Sequence, residues 1–251
     1  TLDQSEAIDL LLADFERAVI PTKSAPMPSK ALFNSDATLL TANAAAVYRH
    51  VVGSVNYLVR CTRYDIGYAV SRLSSKMGVP DTGAWKAMLH LLGYLRGSVD
   101  FRIGGVFGGD IDDFQFYVDS DHCSDSSHTT RSQTGYVTFL NGFPVSWASR
   151  RQPVTAVSPA EAEVYAMSEG VVAGRLVQWV AEEMAVQVQW PFTVFSDSKQ
   201  AVSFQKATAP NSKLRRVFDM RQAQVTEMRD KGVVRSEHIL RDLNVADVLT
   251  H

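Results

Sequence analysis

Four acidic residues stand where their carboxylates could meet. Asp119 lies near the end of an apolar run, FQFYVDSD (114–121), and Asp197 ends a second, PFTVFSD (191–197). Short runs of this kind are strand-like, so both acids sit where a strand runs out and its side chains become accessible. Glu163 falls early in AEAEVYAMSEGVVAGRLVQWVAEE (160–183), a long helical pattern, and Asp247 falls in NVADVLT (244–250), which reads as the start of a last helix. Clustered carboxylates repel one another, and hard divalent cations relieve that repulsion; Mg²⁺ and Mn²⁺ favour such oxygen ligands. Two ions about 4 Å apart can activate a water and stabilise the leaving 3′ oxygen of a phosphodiester. Taken singly, each acid has an ordinary explanation: a turn cap for Asp119 and Asp197, a solvated helix residue for Glu163, a surface acid for Asp247. Their joint context is what points to metal chemistry.

The elements that must position them follow from pattern. After FQFYVDSD come GYVTFLNG (135–142) and FPVSWAS (143–149), joined at Asn141-Gly142, a strong hairpin signal. The long helix 160–183 is next, then the strand 191–197, a short helix from Ser198 to Lys206 and a longer one from about Leu214 to Arg229. VVRSEHI (233–239) is a fifth strand, and Asn244–Thr250 begins the final helix. The order β-β-β-α-β-α-α-β-α implies an α/β fold, a mixed five-stranded sheet with helices on its faces. Before it, residues 1–109 read as a separate, mainly helical module. A first helix spans 3–18, with Asp3 as N-cap and Glu6 three positions on. PTKSAPMPSKALF (21–33) is an extended, proline-rich connector. Helical character runs from about Ala44 to Met77, with a break near Arg60–Tyr64 and an apolar face of Val47, Val51, Val55 and Leu58. After the turn at Gly78–Gly83, a helix extends from Ala84 to about Arg96, with Gly97 as C-cap. The domain boundary is placed between 109 and 110.

The chain of 251 residues is 45% hydrophobic and 21% charged, which excludes a wholly disordered or fibrous polypeptide. Its formal charge of -2 gives no global field for nucleic acid, although an acidic cluster can mask a local basic groove. Cys61 and Cys123, the two cysteines, read as reduced thiols and are too few for a structural zinc site. The sequence carries no run of 18 apolar residues and no leader pattern, so no membrane span is expected. The expectation is an intracellular protein. Because the sequence begins at Thr1 rather than Met, loss of a targeting segment leaves cytoplasm, nucleus and organelle all open.

Several stretches resemble the end of the polyprotein of Ty1/copia-type LTR retrotransposons. YRHVVGSVNYLVRCTRYDIGYAVSRLSSKM (48–77), then Trp85, His90 and LLGYLRGSVDFRI (91–103), are similar to the helical region that follows the reverse-transcriptase palm in that family. YVDSDHCSD (117–125), RSQTGYVTFLNGFPVSWASRRQPVTAVSPAEAEVYAMSE (131–169), VFSDSKQAV (194–202) and NVADVLT (244–250) resemble its four ribonuclease H signatures, in order. The similarity runs over nearly the whole chain. It implies a thumb- or connection-like module at 1–109 and a ribonuclease H-like domain at 110–251.

On this resemblance Asp119, Glu163, Asp197 and Asp247 are the catalytic, metal-binding acids for two Mg²⁺ or Mn²⁺ ions. Asp119 would bridge both ions, Glu163 and Asp197 would hold the one near the leaving oxygen, and Asp247 would complete the nucleophile side. Asp121, Asp125 and above all Glu161 are rivals; Glu163 is preferred because Ala166 follows it at the family's spacing. The implied reaction is endonucleolytic hydrolysis of the RNA strand of an RNA·DNA hybrid, a duplex read through backbone shape and 2′-OH groups. Candidate nucleic-acid contacts are Ser132, Thr134, Arg150 and Arg151, with Gln152 beside them. Lys213, Arg215, Arg216 and Arg221, in KLRRVFDMR (213–221), form a possible phosphate track. Ser132 and Thr134 have an equal claim to supporting the hairpin, and the basic run to being a solvated helix face. Ser198 is read as a helix cap.

The chain departs from the family pattern at Tyr64, where a proline is usual, and at Arg216–Asp219, where a histidine is usual. His128 and His238 have no arguable proton-transfer role. A Y-V-D-D polymerase motif is absent, so this chain alone is not expected to polymerise DNA. The alternative function is a retroelement-derived, non-catalytic structural or nucleic-acid-binding subunit. Partners would be the hybrid and either the polymerase part of the polyprotein or a host multi-subunit assembly.

Overall fold

The computed structural model describes residues 1–15, 20–28, 38–105, 113–122, 130–186, 188, 190–206 and 216–251; side chains are described for all of these except 204–206, 216–219 and 222. The chain divides into two compact units, Thr1–Ile103 and Gly104–His251. The boundary expected at 109/110 lies outside the described residues.

Among the described residues the first unit holds four helices, α1 (Ser5–Ala13), α2 (Ala42–Cys61), α3 (Gly67–Ser74) and α4 (Thr82–Gly97), with a 3-10 turn at Tyr64–Ile66. Its core is an apolar cluster of Ile8, Leu11, Leu12, Tyr48, Val51, Val52, Val55, Leu58, Leu73, Met88, Leu91, Leu92 and Leu95. The expected interruption of the long helical pattern is present: α2 ends at Cys61 and the 3-10 turn follows. Arg63 fixes that break. Its buried guanidinium donates to both oxygens of Asp65 and to Ser98, and it lies over the rings of Tyr94 and Phe101. Two expectations need correction. The first helix starts at Ser5 rather than at residue 3, because Asp3 bonds to Ser5 locally and no side chain caps the helix. Val47 is exposed, and Tyr48 takes the buried place beside Val51, with its hydroxyl donating to the Leu73 carbonyl.

The second unit is a five-stranded sheet in the order β3-β2-β1-β4-β5, comprising β1 (Phe114–Asp121), β2 (Gln133–Leu140), β3 (Phe143–Arg151), β4 (Phe192–Ser196) and β5 (Val234–His238). β1, β2 and β3 pair antiparallel, while β4 joins β1, and β5 joins β4, in parallel. The hairpin turns at Asn141 (φ 47°) and Gly142 (φ 75°), the pair of positive φ values that a two-residue primed turn requires. Three helices, α5 (Pro159–Glu183), α6 (Lys199–Lys206) and α7 (Arg216–Asp230), accompany the sheet. Their residues Val164, Met167, Val171, Ala201, Val202 and Val225 share one core with Phe114, Phe116, Val118, Phe192, Val194 and Val234.

The packing of α5 is set by two glycines one turn apart. A Cβ on Gly170 would come 2.5 Å from Val118 Cγ1, and one on Gly174 would come 2.5 Å from Phe116 Cζ. Only hydrogen lets the helix backbone lie this close to β1. The final helix expected from Asn244 is instead a pair of 3-10 turns, Arg241–Leu243 and Asp247–Leu249. Here amides reach back three residues, as in Asp247 N to Asn244 O and Leu249 N to Ala246 O, and the Asn244 side chain takes the amide of Ala246. Among the described residues no helix is long and apolar enough to cross a membrane.

Candidate metal centre

Strand register brings the first two acids together. β1 and β4 are parallel neighbours with Tyr117 opposite Phe195. Asp119 and Asp197 each lie two residues further on, so both leave the sheet at the same edge. Across β2, Asp119 pairs with Gly135. A Cβ there would meet Leu249 Cβ at 2.7 Å and the Ala246 carbonyl at 3.0 Å. The glycine therefore lets segment 246–250 lie on the sheet beside Asp119. Asn244 Nδ2 anchors that segment to the Val118 carbonyl at 3.0 Å, and the Thr250 hydroxyl donates to Asp119 Oδ2.

Glu163 arrives from the second turn of α5. Ser158 caps this helix by accepting from the Glu161 amide at 3.2 Å, and Glu161 Oε2 accepts from the Val157 amide at 2.6 Å. Glu161 is thus engaged in capping, while Glu163 enters the acid cluster. One oxygen each from Asp119, Glu163 and Asp197 lie within 4.8 Å of one another; a second group within the same limit joins Asp119, Asp247 and a nitrogen of His251. Asp119 belongs to both. His238 Nε2 lies 3.1 Å from the Asp197 carbonyl oxygen and steadies the strand end.

The electrostatics of Asp119 and Glu163 are those of buried acids crowded by like charge. Burial pushes Asp119 up to about 6; the Thr250 bond opposes this, and the charges of Asp197 and Asp247 add to it. Burial, followed by the charges of Asp119 and Asp197, holds Glu163 well above the usual carboxylate range. Glu163 Oε2 is buried with no hydrogen-bond partner. A buried polar atom without a partner is costly, and a cation at this point would satisfy it. The donor set, mostly carboxylate oxygen, fits hard divalent cations.

The proposed nucleic-acid residues are less uniform. Ser132 and Thr134 are buried, and Gln152 Nε2 donates to Thr134 Oγ1 at 3.0 Å and to the Ala162 carbonyl at 3.0 Å. Through Gln152 the Thr134 hydroxyl ties β2 to the start of α5, and the Ser132 carbonyl accepts from the Gln152 amide, which supports the structural role for both residues. Arg150 is half-exposed and ion-paired with Glu169. Arg151 ends β3 opposite Gln133. Arg221 stacks on Tyr165, 3.6 Å from the ring centroid. Lys213 and Arg215 lie outside the described residues, as do the side chain of Arg216 and residues Cys123, Asp125 and His128. Cys61 carries an exposed free thiol. Ser198 accepts from the Ala201 amide at 3.2 Å, a helix cap as read. Thr250, His251 and Arg241 were missed. The i, i+4 spacing of Asp247 and His251 was the available signal, obscured because a histidine on a short polar segment is usually solvated.

A mixed sheet in this order, with acids at the ends of its two central parallel strands and a helical glutamate beside them, is a ribonuclease H-like α/β fold. No protein-family model matches the chain. The retrovirus-related Pol polyprotein from transposon TNT 1-94 of Nicotiana tabacum is 31% identical over 210 residues, covering 82% of this chain and 15% of that protein. The corresponding protein from transposon RE2 of Arabidopsis thaliana is 30% identical over 213 residues, covering 81% and 14%. These similarities support a retrotransposon Pol-derived, ribonuclease H-like chain, consistent with the C-terminal region of a Ty1/copia-type Pol, and the chain spans about a seventh of the length of these curated relatives. Among solved structures, LC11-RNase H1 in complex with RNA/DNA hybrid aligns with 55% of this chain and 93% of its own, at 16% identity and a TM-score of 0.42.

Proposed function

We propose that the Gly104–His251 unit is a metal-dependent endonuclease that hydrolyses the RNA strand of RNA·DNA hybrids. The observation that carries this reading is the buried, partnerless Glu163 Oε2 set among Asp119 and Asp197. Glu163 and Asp197 would hold one Mg²⁺ or Mn²⁺, Asp247 and His251 the other, and Asp119 both. Bound ions would lower the pKa of a water and neutralise charge on the phosphate. In the reaction a water oxygen bonds to phosphorus, the bond from phosphorus to the 3′ oxygen breaks, and the products are a 3′-hydroxyl and a 5′-phosphate. The chain's own contribution is to fix the carboxylates: strand register aligns Asp119 with Asp197, Thr250 orients Asp119, and the Ser158 cap sets the phase of Glu163. Arg150, Arg151 and Arg221 are candidates for the phosphate backbone, through which such a hybrid is held.

We assign the Thr1–Ile103 unit as the thumb- or connection-like module, its partner being the polymerase part of a longer polyprotein. The deciding experiment is cleavage of an end-labelled RNA·DNA hybrid by the full chain in Mg²⁺ or Mn²⁺, compared with Asp119→Asn. Metal-dependent loss of the RNA strand, abolished by the substitution, supports the nuclease. Absence of cleavage by the folded protein favours the rival reading, a non-catalytic subunit of a larger assembly.

A further inference from the structure

At the second cluster, the chain supplies a cation of its own. Arg241 Nε donates to Asp247 Oδ1 at 3.2 Å, and Arg241 Nη2 lies 3.1 Å from His251 Nε2. A guanidinium has only donors, so the histidine nitrogen is the acceptor in this contact and presents its lone pair to the arginine. The same nitrogen lies 3.9 Å from Asp247 Oδ1. Arg241 therefore engages an oxygen of Asp247 and a ring nitrogen of His251, the two residues that join Asp119 in the second ligand group. The negative field of the centre reaches it as well, Asp247 most strongly and then Asp119 and Asp197.

The geometry suits a displaceable contact. Arg241 starts one 3-10 turn and Asp247 starts the next, six residues on, so the guanidinium stays near the site when it lets go. Its side chain is 65% exposed, and an exposed ion pair is weak enough to exchange for solvent or for an ion. The ligands it holds are fixed by other contacts: Asn244 anchors the segment to β1, and Thr250 ties it to Asp119. Releasing Arg241 would thus leave the ligand group in place.

We propose that Arg241 is a tethered counter-cation of the second metal site, holding Asp247 and His251 until a divalent ion displaces it. This inference rests on the two-ion reading above and adds a consequence to it. The second ion must compete with the arginine, so it binds more weakly than its ligands alone would allow, and its occupancy rises only at higher metal concentration.

The test is a Mn²⁺ titration of the full chain without nucleic acid, with free Mn²⁺ followed by electron paramagnetic resonance. The wild-type chain is expected to bind two ions, the second more weakly. Arg241→Ala should tighten the second constant about fivefold, the worth of one exposed charge pair, and leave the first unchanged. Arg241→Lys, which keeps the charge but loses the planar fork, should give a smaller change. An unchanged or weaker second constant in Arg241→Ala, with the first intact as a measure of folding, overturns the proposal. Binding of a single ion with or without Arg241 overturns it too, while leaving the Asp119, Glu163 and Asp197 group standing. If neither protein binds any ion, the two-ion reading falls and this inference falls with it.

Discussion

The Thr250 hydroxyl donates a hydrogen bond to Asp119 Oδ2, joining residues 131 positions apart in the chain. The contact turns the C-terminal segment into part of the centre: it orients the carboxylate shared by both ligand groups and opposes the rise in that group's pKa. Thr250→Val is expected to destabilise the protein by about 1 kcal/mol, the usual worth of such a bond. It should also move the acidic limb of the cleavage pH profile to higher pH. Thr250→Ser should restore the profile. A profile that stays fixed in Thr250→Val would leave the threonine with a packing role only.

The acids predict how the metal-free protein responds to pH. Asp119 keeps its proton up to about pH 6 when folded but loses it near 3.8 in an ordinary setting. Between those values the folded state binds more protons, so this group's contribution to stability falls as pH rises from about 4 to 6. The loss is about 3 kcal/mol and persists at neutral pH. Glu163 acts in the same direction. Denaturant melts of the metal-free chain should show Asp119→Asn gaining on wild type between pH 4 and 7, and an equal difference at both ends would contradict the shift.

Metal addition should reverse that loss. An ion that binds only the folded state stabilises it in proportion to its saturation. Mg²⁺ or Mn²⁺ should therefore raise the melting temperature at pH 7 more than at pH 5, where protons compete for the same oxygens. Glu163→Gln should raise the metal-free melting temperature and reduce the metal-induced rise. A rise of the same size in Glu163→Gln would remove this residue from the ligand set.

Gly174 tests how the helix places the glutamate. Its absent Cβ would sit 2.5 Å from the Phe116 ring, which is fully buried. Gly174→Ala is expected to cost about 2 kcal/mol through overpacking, despite the better helix propensity of alanine. If α5 moves away from β1 to make room, Glu163 moves with it, and metal affinity should fall. Urea melts alongside Mn²⁺ titration separate the two effects.

In the helical unit, Arg63 is expected to be the most sensitive charged position. Its side chain is 1% exposed and bonded to Asp65 and Ser98. Arg63→Ala leaves Asp65 without its counter-charge, bonded still to the Tyr94 hydroxyl, and a loss of about 3 kcal/mol is expected, measured by chemical denaturation of the full chain. A loss below about 1 kcal/mol would mean that solvent replaces the arginine there.

Local pattern determined most elements of this protein, the final helix expected from Asn244 excepted. Alternation and apolar runs marked the five strands, Asn141-Gly142 marked the hairpin, and the weakening near Arg60–Tyr64 marked the helix break, because each is written within a few residues by propensity and φ preference. The acids at strand ends were legible for the same reason. Tertiary structure decided what depends on distant segments meeting. The parallel register of β1 with β4 sets Asp119 level with Asp197 and, with α5 packed on β1, brings Glu163 to the same cluster. Burial of Ser132 and Thr134 favours the supporting role of the two that the sequence left open. The approach of 246–250 over Gly135 brings Thr250, His251 and Arg241 to the centre. The contacts of segment 244–250 with β1 and β2 join residues more than a hundred positions apart, and no local preference encodes them: they arise when the sheet is assembled and Gly135 lets the segment close upon it.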